Sequence, residues 1–169
     1  DDYHVNIDNP QIAEGISGIP EIFTTLYAEE NNMSYGYRPL VRTSFAIEYQ
    51  FTSGLSINPY ISHFINILLY TLAILLLYKV LRRLLNGYNP WFPFLVALLF
   101  MAHPTHTEVV ASLKNRDVLL NFLFTFIAIW QFVKWIDVKK TKHLIFGMIS
   151  FLLALLSKES AITQLAIFL

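Results

Sequence analysis

Residues 60–78 read YISHFINILLYTLAILLLY, nineteen positions without Asp, Glu, Lys or Arg, and Lys79, Arg82 and Arg83 follow at once. A hydrocarbon core of about 30 Å takes roughly 20 residues of helix at about 1.5 Å per residue, so this stretch and its flanks are predicted to cross a membrane. Four more apolar runs follow at 91–107, 118–133, 144–157 and 160–169, of 17, 16, 14 and 10 residues. Together the five runs hold 76 of the 169 residues, and all 24 charged side chains lie in the other 93. The fold class predicted is an all-α polytopic membrane protein, a helical bundle with helices at about 59–84, 93–103, 117–135, 143–157 and 160–169, the last one cut by the chain end.

Composition agrees. The chain is 55% hydrophobic and 14% charged, where a soluble domain carries about 25% charge, so a soluble globular enzyme and a disordered chain are both excluded. There is no cysteine, hence no disulfide framework, zinc–thiolate site or thiol nucleophile. Asp1 stands first and Leu169 lies inside an apolar run, so the chain is expected to be a piece of a longer protein, inactive alone.

Residues 1–58 form the one extended polar region. Two short amphipathic helices are predicted within it. One opens at Pro20 with Ile19, Phe23 and Leu26 on a face, and one runs from Pro39 to about Thr52 with Leu40, Ser44, Ile47 and Phe51 along one side. Short connections make neighbouring membrane helices antiparallel. Loops 85–92 and 136–143, with their helix ends, then share one side and carry seven basic residues against Asp137. Residues 1–58, 104–117 and 157–160 share the other, with five basic and eleven acidic residues. The net charge of zero therefore conceals two opposed faces. By the positive-inside rule the lysine-rich face is cytoplasmic and residues 1–58 are periplasmic or lumenal. The expected location is a bacterial inner membrane or, in a eukaryote, the ER membrane.

Three polar clusters fall on the outward side: Asp1-Asp2, then His103 to Glu108 continuing through Lys114, Asn115, Arg116 and Asp117, then Ser157-Lys158-Glu159. Ionisable groups at a membrane interface are costly unless paired or hydrated, which makes them candidates for function. Each has an ordinary explanation too. Asp1-Asp2 reads equally as a solvated pair, His103 as a cap on a helix carboxyl end, Arg116-Asp117 as a helix start, and Lys158-Glu159 as a loop pair. His103 and His106 have metal-pair spacing, but Pro104 breaks the helix that would align them and no third ligand follows. Asn66 and Asn121 are expected to bond neighbouring helices. Tyr60, Tyr78, Tyr88, Trp91, Trp130 and Trp135 are expected in the interfacial belt.

Taken as an ordered set, Asp1-Asp2, Tyr37-Arg38-Pro39-Leu40, the run from His103 to Ala111 (HPTHTEVVA), Asn115-Arg116-Asp117 and the run from Leu156 to Ala161 (LSKESA) resemble the transmembrane and tetratricopeptide-repeat O-mannosyltransferases and their bacterial relatives. These belong to the GT-C class of membrane glycosyltransferases. The resemblance covers nearly the whole chain. It implies inverting transfer of a mannose-like hexose from a polyprenyl-phosphate donor to an acceptor hydroxyl on protein, lipid or glycan at the outward face of the bilayer, with no nucleic-acid partner. It further implies that a first membrane helix runs into Asp1-Asp2, and that Asp2, or else Asp1, is the catalytic base. A carboxylate suits that role because a neutral hydroxyl is a poor nucleophile, and general-base help contributes about 10² to 10⁴ in rate.

In the same resemblance Arg38, Arg116 and Lys158 face the leaving phosphate, Glu108 and Asp117 orient those cations, and His103, His106 and Glu159 lie at the substrate site. A divalent Mg or Mn ion on Asp1, Asp2, Glu108 and Asp117 is an open option, since metal use varies across the class. One departure from the animal form stands out: Arg116 and Asp117 are adjacent here, without the small residue between them, so spacing leaves open which way Asp117 faces. The readings from other classes are a transporter or lipid flippase and a noncatalytic subunit whose outward loop binds a partner.

Overall fold

The computed structural model of the chain describes residues 10–26, 29–30, 33–34, 36–52 and 58–167. Short helices α1 (Pro10–Ala13) and α2 (Ile19–Ile22) flank a 3-10 turn at Gly15–Gly18, and a two-residue antiparallel ladder pairs Glu29–Glu30 with Met33–Ser34. Then come α3 (Pro39–Phe51), α4 (Pro59–Leu84), α5 (Trp91–Met101), α6 (Thr105–Ala111), α7 (Arg116–Val138), α8 (Thr141–Ser157) and a 3-10 helix at Glu159–Ile167. α4 and α7 are long and apolar enough to cross a membrane, and α5 with α6 makes a third span if the bent pair is counted as one.

Local sequence accounts for both ends of α4. Pro59 sits in the first turn of α4, the Asn58 side chain accepts from the Tyr60 amide at 3.0 Å, and Arg82 and Arg83 close the last turn. This is the amide cap at the amino end and the cation at the carboxyl end that the helix dipole favours. α7 and α8 are joined through Lys139, whose φ of 56° is the left-handed conformation that ends a helix sharply.

Two neighbouring packings fix the bundle. α8 turns a row of small buried residues, Gly147, Ser150, Ala154 and Ser157, towards α7. Without large side chains there the backbones can approach closely, as helices in lipid require. A Cβ on Gly147 would stand 3.2 Å from the Phe132 ring. α3 lies over the ends of the membrane helices, its Val41 and Phe45 joining Ile12, Leu113 and Leu120 in the buried core.

The bend between α5 and α6, 63°, follows from Pro104. A proline lacks the amide that would bond the carbonyl four residues back and its ring clashes there, so the helix must break. Phe100 is that carbonyl. It accepts instead from the His103 amide at 3.2 Å and meets His106 Nδ1 at 2.7 Å.

Two expectations are corrected, and one helix gains a buried face that was not expected. The helix at Pro20 is a single turn ending at Ile22, because the Thr24 and Thr25 hydroxyls bond back to the Glu21 carbonyl at 2.9 and 3.1 Å and compete with continuation; it buries Ile22, not Phe23 or Leu26, which are exposed. α3 has the predicted length, yet its buried face is Val41, Arg42, Phe45 and Glu48, while Ile47 and Phe51 point out. The two charged residues go in because they have partners there. The segment predicted as a fifth α-helix is 3-10 over Glu159–Ile167, with Gln164 turned to donate to Asn121 at 2.8 Å.

Candidate functional site: a mixed cluster beside a buried ion pair

Two groups of charges meet where α3, α7 and the α8 end come together. In the first, Asp117 Oδ2 lies 2.7 Å from Arg38 Nη1 and 2.9 Å from Lys158 Nζ, and Arg38 Nη2 is 3.5 Å from Glu159 Oε1. Arg38 stands one residue before α3, Asp117 in the first turn of α7, and Lys158 and Glu159 just past α8. Three separate stretches of sequence thus supply one cluster of two cations and two anions. Asp117 is 3% exposed, whereas Arg38, Lys158 and Glu159 are 19%, 28% and 61% exposed. Gly36 makes the approach possible: its φ is +46°, and a Cβ there would come within 2.9 Å of both Glu159 carboxylate oxygens.

The second group is closed. Arg116 donates from Nη1 to Glu48 Oε2 at 2.8 Å, from Nε to Asn66 Oδ1 at 2.9 Å and from Nη2 to the Ser62 carbonyl at 3.1 Å. Its guanidinium also lies 3.8 Å from the centre of the Phe45 ring. The Ser62 hydroxyl donates to the other Glu48 oxygen, and Asn66 Nδ2 donates to the carbonyls of Val110 and Ser112, both at 3.3 Å. The Arg116 and Glu48 side chains are 0% and 1% exposed. A buried pair of this kind offsets its desolvation only when the remaining donors and acceptors are also satisfied, and here each guanidinium nitrogen has an acceptor. Arg116 therefore ties α3, α4 and α7 together. The expectation that it grips a donor phosphate is corrected: its guanidinium is out of reach of one. Arg116 and Asp117 part company because adjacent helical residues point about 100° apart.

The other expected site residues are placed as follows. Glu108 is exposed on α6 and makes no ion pair with this cluster among the described residues. His103 Nδ1 faces the Thr105 hydroxyl at 2.8 Å, and His106 packs its ring 4.4 Å from that of Phe100. Because a carbonyl only accepts, His106 carries its proton on Nδ1. An apolar cavity of about 390 Å³ between α4 and α6 is lined by His63, Ile67, Tyr70, His106 and Val110. Asn121 meets α8, donating to the Ala154 and Lys158 carbonyls at 3.2 and 3.4 Å. Asp1 and Asp2 lie outside the described residues. Among the described residues no three His, Asp or Glu side chains are grouped to hold a metal ion, and Asp117, engaged by two cations, is poorly suited to a third.

Arg42 and Glu48 were missed from sequence. Arg42 donates to Gln11 Oε1, the Thr25 hydroxyl and the Ile22 and Thr25 carbonyls at 2.6 to 3.0 Å, clamping α1 and α2 onto α3. The available signal was spacing: Val41, Phe45 and Glu48 recur at the helical period, so Glu48 continues an apolar face.

The family model for dolichyl-phosphate-mannose-protein mannosyltransferases matches residues 58–169. The chain belongs to this family. It is similar to human protein O-mannosyl-transferase TMTC1 (35% identity over 129 residues, 73% of this chain and 14% of the relative). It is likewise similar to protein O-mannosyl-transferase Tmtc2 of Drosophila melanogaster (34% over 137 residues, 78% and 14%) and to protein O-mannosyl-transferase F38B6.6 of Caenorhabditis elegans (29% over 141 residues, 79% and 20%). This mannosyltransferase-family chain spans a seventh to a fifth of the length of those relatives. No solved structure matches it.

Proposed function

We propose that this chain contributes to a membrane glycosyltransferase that moves a mannose-like hexose from a polyprenyl-phosphate donor to an acceptor hydroxyl. The observation that carries the reading is the Arg38–Asp117–Lys158–Glu159 cluster, two cations that reach solvent, held by a nearly buried carboxylate at one end of the membrane helices. Membership of a mannosyltransferase family supports it. By analogy with the named relatives the acceptor is protein Ser or Thr, with a lipid or glycan hydroxyl as the alternatives.

Transfer with inversion assigns each group a task. The acceptor oxygen attacks the anomeric carbon from the side opposite the phosphate and gives its proton to Asp2, or to Asp1. The bond from the anomeric carbon to phosphate oxygen breaks, and the lipid phosphate leaves with the electron pair. Negative charge grows on that phosphate, and cations already in place stabilise it without reorganising. Arg38 presents a planar fork to phosphate oxygens and Lys158 a point charge, while Asp117 and Glu159 hold both in position. The cavity between α4 and α6 suits the first units of the polyprenyl tail. The reading puts the reacting side on the periplasmic or lumenal face of a bacterial inner membrane or an ER membrane, which the excess of lysine at the opposite helix ends supports.

Transport is less well supported. Alternating access needs charged groups near mid-bilayer depth, and residues 60–78 and 118–133 contain no Asp, Glu, Lys or Arg. The test of the transfer reading is Asp1→Asn, Asp2→Asn and the double variant in the complete protein. At least one variant should lose sugar transfer by about 10² or more while reaching the membrane normally. Full transfer by all three would overturn the base assignment.

A further inference from the structure

The opposite end of the bundle carries a second concentration of charge. Lys134 stands on the last turns of α7, Lys139 and Lys140 form the connection, and Lys142 and His143 occupy the first turn of α8. The one carboxylate in that stretch, Asp137, is taken by Arg83 of α4, whose Nε donates to Oδ2 at 2.9 Å. Among the described residues no carboxylate pairs with Lys134, Lys139, Lys140 or Lys142. Like charges this close repel one another, and α8 adds the positive end of its dipole, with no acidic residue in its first turn. Lys134 of α7, Lys140 of the connection and Lys142 of α8 thus gather at the point where the apolar run 144–157 begins.

The aromatic neighbours set the depth. Lys134 Nζ lies 5.1 Å from the centre of the Trp130 ring, and Lys139 Nζ lies 5.1 Å from that of Trp135. Indoles settle at the headgroup level of a bilayer, which puts these ammonium groups at the level of lipid phosphates. Lys139 is also the one non-glycine residue with positive φ among those described; a lysine stands where the backbone favours glycine. Ile136, Val138, Ile145 and Phe146, next to these cations in the chain, are all exposed. A phospholipid sets its phosphate against the lysines and its acyl chains against those apolar side chains in one molecule, whereas a soluble anion meets only the lysines.

We propose that the α7–α8 turn, through Lys134, Lys140 and Lys142, is a binding site for the headgroup of an anionic glycerophospholipid, with its acyl chains lying along Ile145 and Phe146. The site is at the other end of α7 from Asp117 and does not depend on the transfer reading.

The experiment uses the full-length protein in zwitterionic micelles, titrated with phosphatidylglycerol or with phosphatidylcholine of the same acyl chains, bound lipid being counted by native mass spectrometry. A basic residue near a membrane surface is worth about 1 kcal/mol towards anionic lipid, or roughly fivefold, so the wild type should prefer phosphatidylglycerol by about tenfold or more. K134Q/K140Q/K142Q should lose most of that preference and K134R/K140R/K142R should keep it. A wild type without preference, or a glutamine variant that retains it, overturns the proposal. Displacement of the lipid by millimolar inorganic phosphate overturns the lipid assignment in favour of a soluble anion. Should the glutamine variant fail to fold, the wild type still decides: its preference must fall as salt rises from about 0.1 M to about 1 M, and a salt-insensitive preference overturns the site.

Discussion

Arg116 and Asp117 are neighbours in the chain and belong to different kinds of site. Arg116 sits in a closed, fully buried set with Glu48, Asn66 and Ser62. Asp117 anchors an open one, in which Arg38, Lys158 and Glu159 keep part of their surface in solvent. In the closed set every guanidinium nitrogen is matched to a protein acceptor, which suits rigidity and leaves no room for a ligand. In the open set two cations crowd one carboxylate oxygen and keep part of their surface in solvent, as the proposed contact with a phosphate requires. Charge type alone does not tell a tie from a binding site; exposure and the count of satisfied partners do.

That contrast can be broken most sharply at Glu48. Arg116→Met leaves the Glu48 carboxylate buried without its cation and should cost about 3–5 kcal/mol, read as a lowered melting temperature of the full-length protein in detergent. Removing both charges with Glu48→Gln and Arg116→Met together should recover much of the loss. A single variant as stable as the wild type would show that the pair is not the tie inferred here.

The open set should behave in the reverse way. Arg38→Gln and Lys158→Gln are expected to lower sugar transfer by about 10² to 10³, with a smaller fall in melting temperature than Arg116→Met, because Asp117 keeps one of its two cations in either variant. Variants that melt early in proportion to their lost activity would move Arg38 and Lys158 into the structural group.

A smaller effect is expected at the α7–α8 contact, which holds Lys158 in place from below. Gly147→Leu drives a side chain into the Phe132 ring and should cost about 1–3 kcal/mol, with a milder loss for Gly147→Ala. The smallest change is expected from Arg83→Gln, whose pair with Asp137 is largely exposed; its melting curve should overlay the wild type. A shift as large as that of Arg116→Met would erase the distinction between buried and exposed pairs.

Much of the fold was legible because membrane helices announce themselves locally. The run at 60–78, with Asn58-Pro59 before it and Arg82-Arg83 after it, bounds α4 without help from any other segment. Pro104 likewise predicts a break. What the sequence did not show is how Phe100 is satisfied there, since His106 reaches back six residues to it. Which side of α3 is buried was a further point that the sequence did not show. Leu40, Ser44, Ile47 and Phe51 do share a side, but burial followed Arg42 and Glu48, whose partners Gln11, Thr25, Ser62 and Arg116 come from distant parts of the chain.

By itself the sequence determined that this is a helical membrane protein, where a proline breaks a helix, and that basic and acidic residues gather in different connections. Those properties follow from hydrophobic length, proline and the spacing of charges, all of which act within a few turns of chain. Only the tertiary structure decided that Arg116 is sealed and Asp117 is not, and that Arg38, Lys158 and Glu159 converge on the latter. The physical reason is that the desolvation of a charge depends on what surrounds it, and those surroundings are assembled from residues as much as 121 positions apart, Arg38 and Glu159.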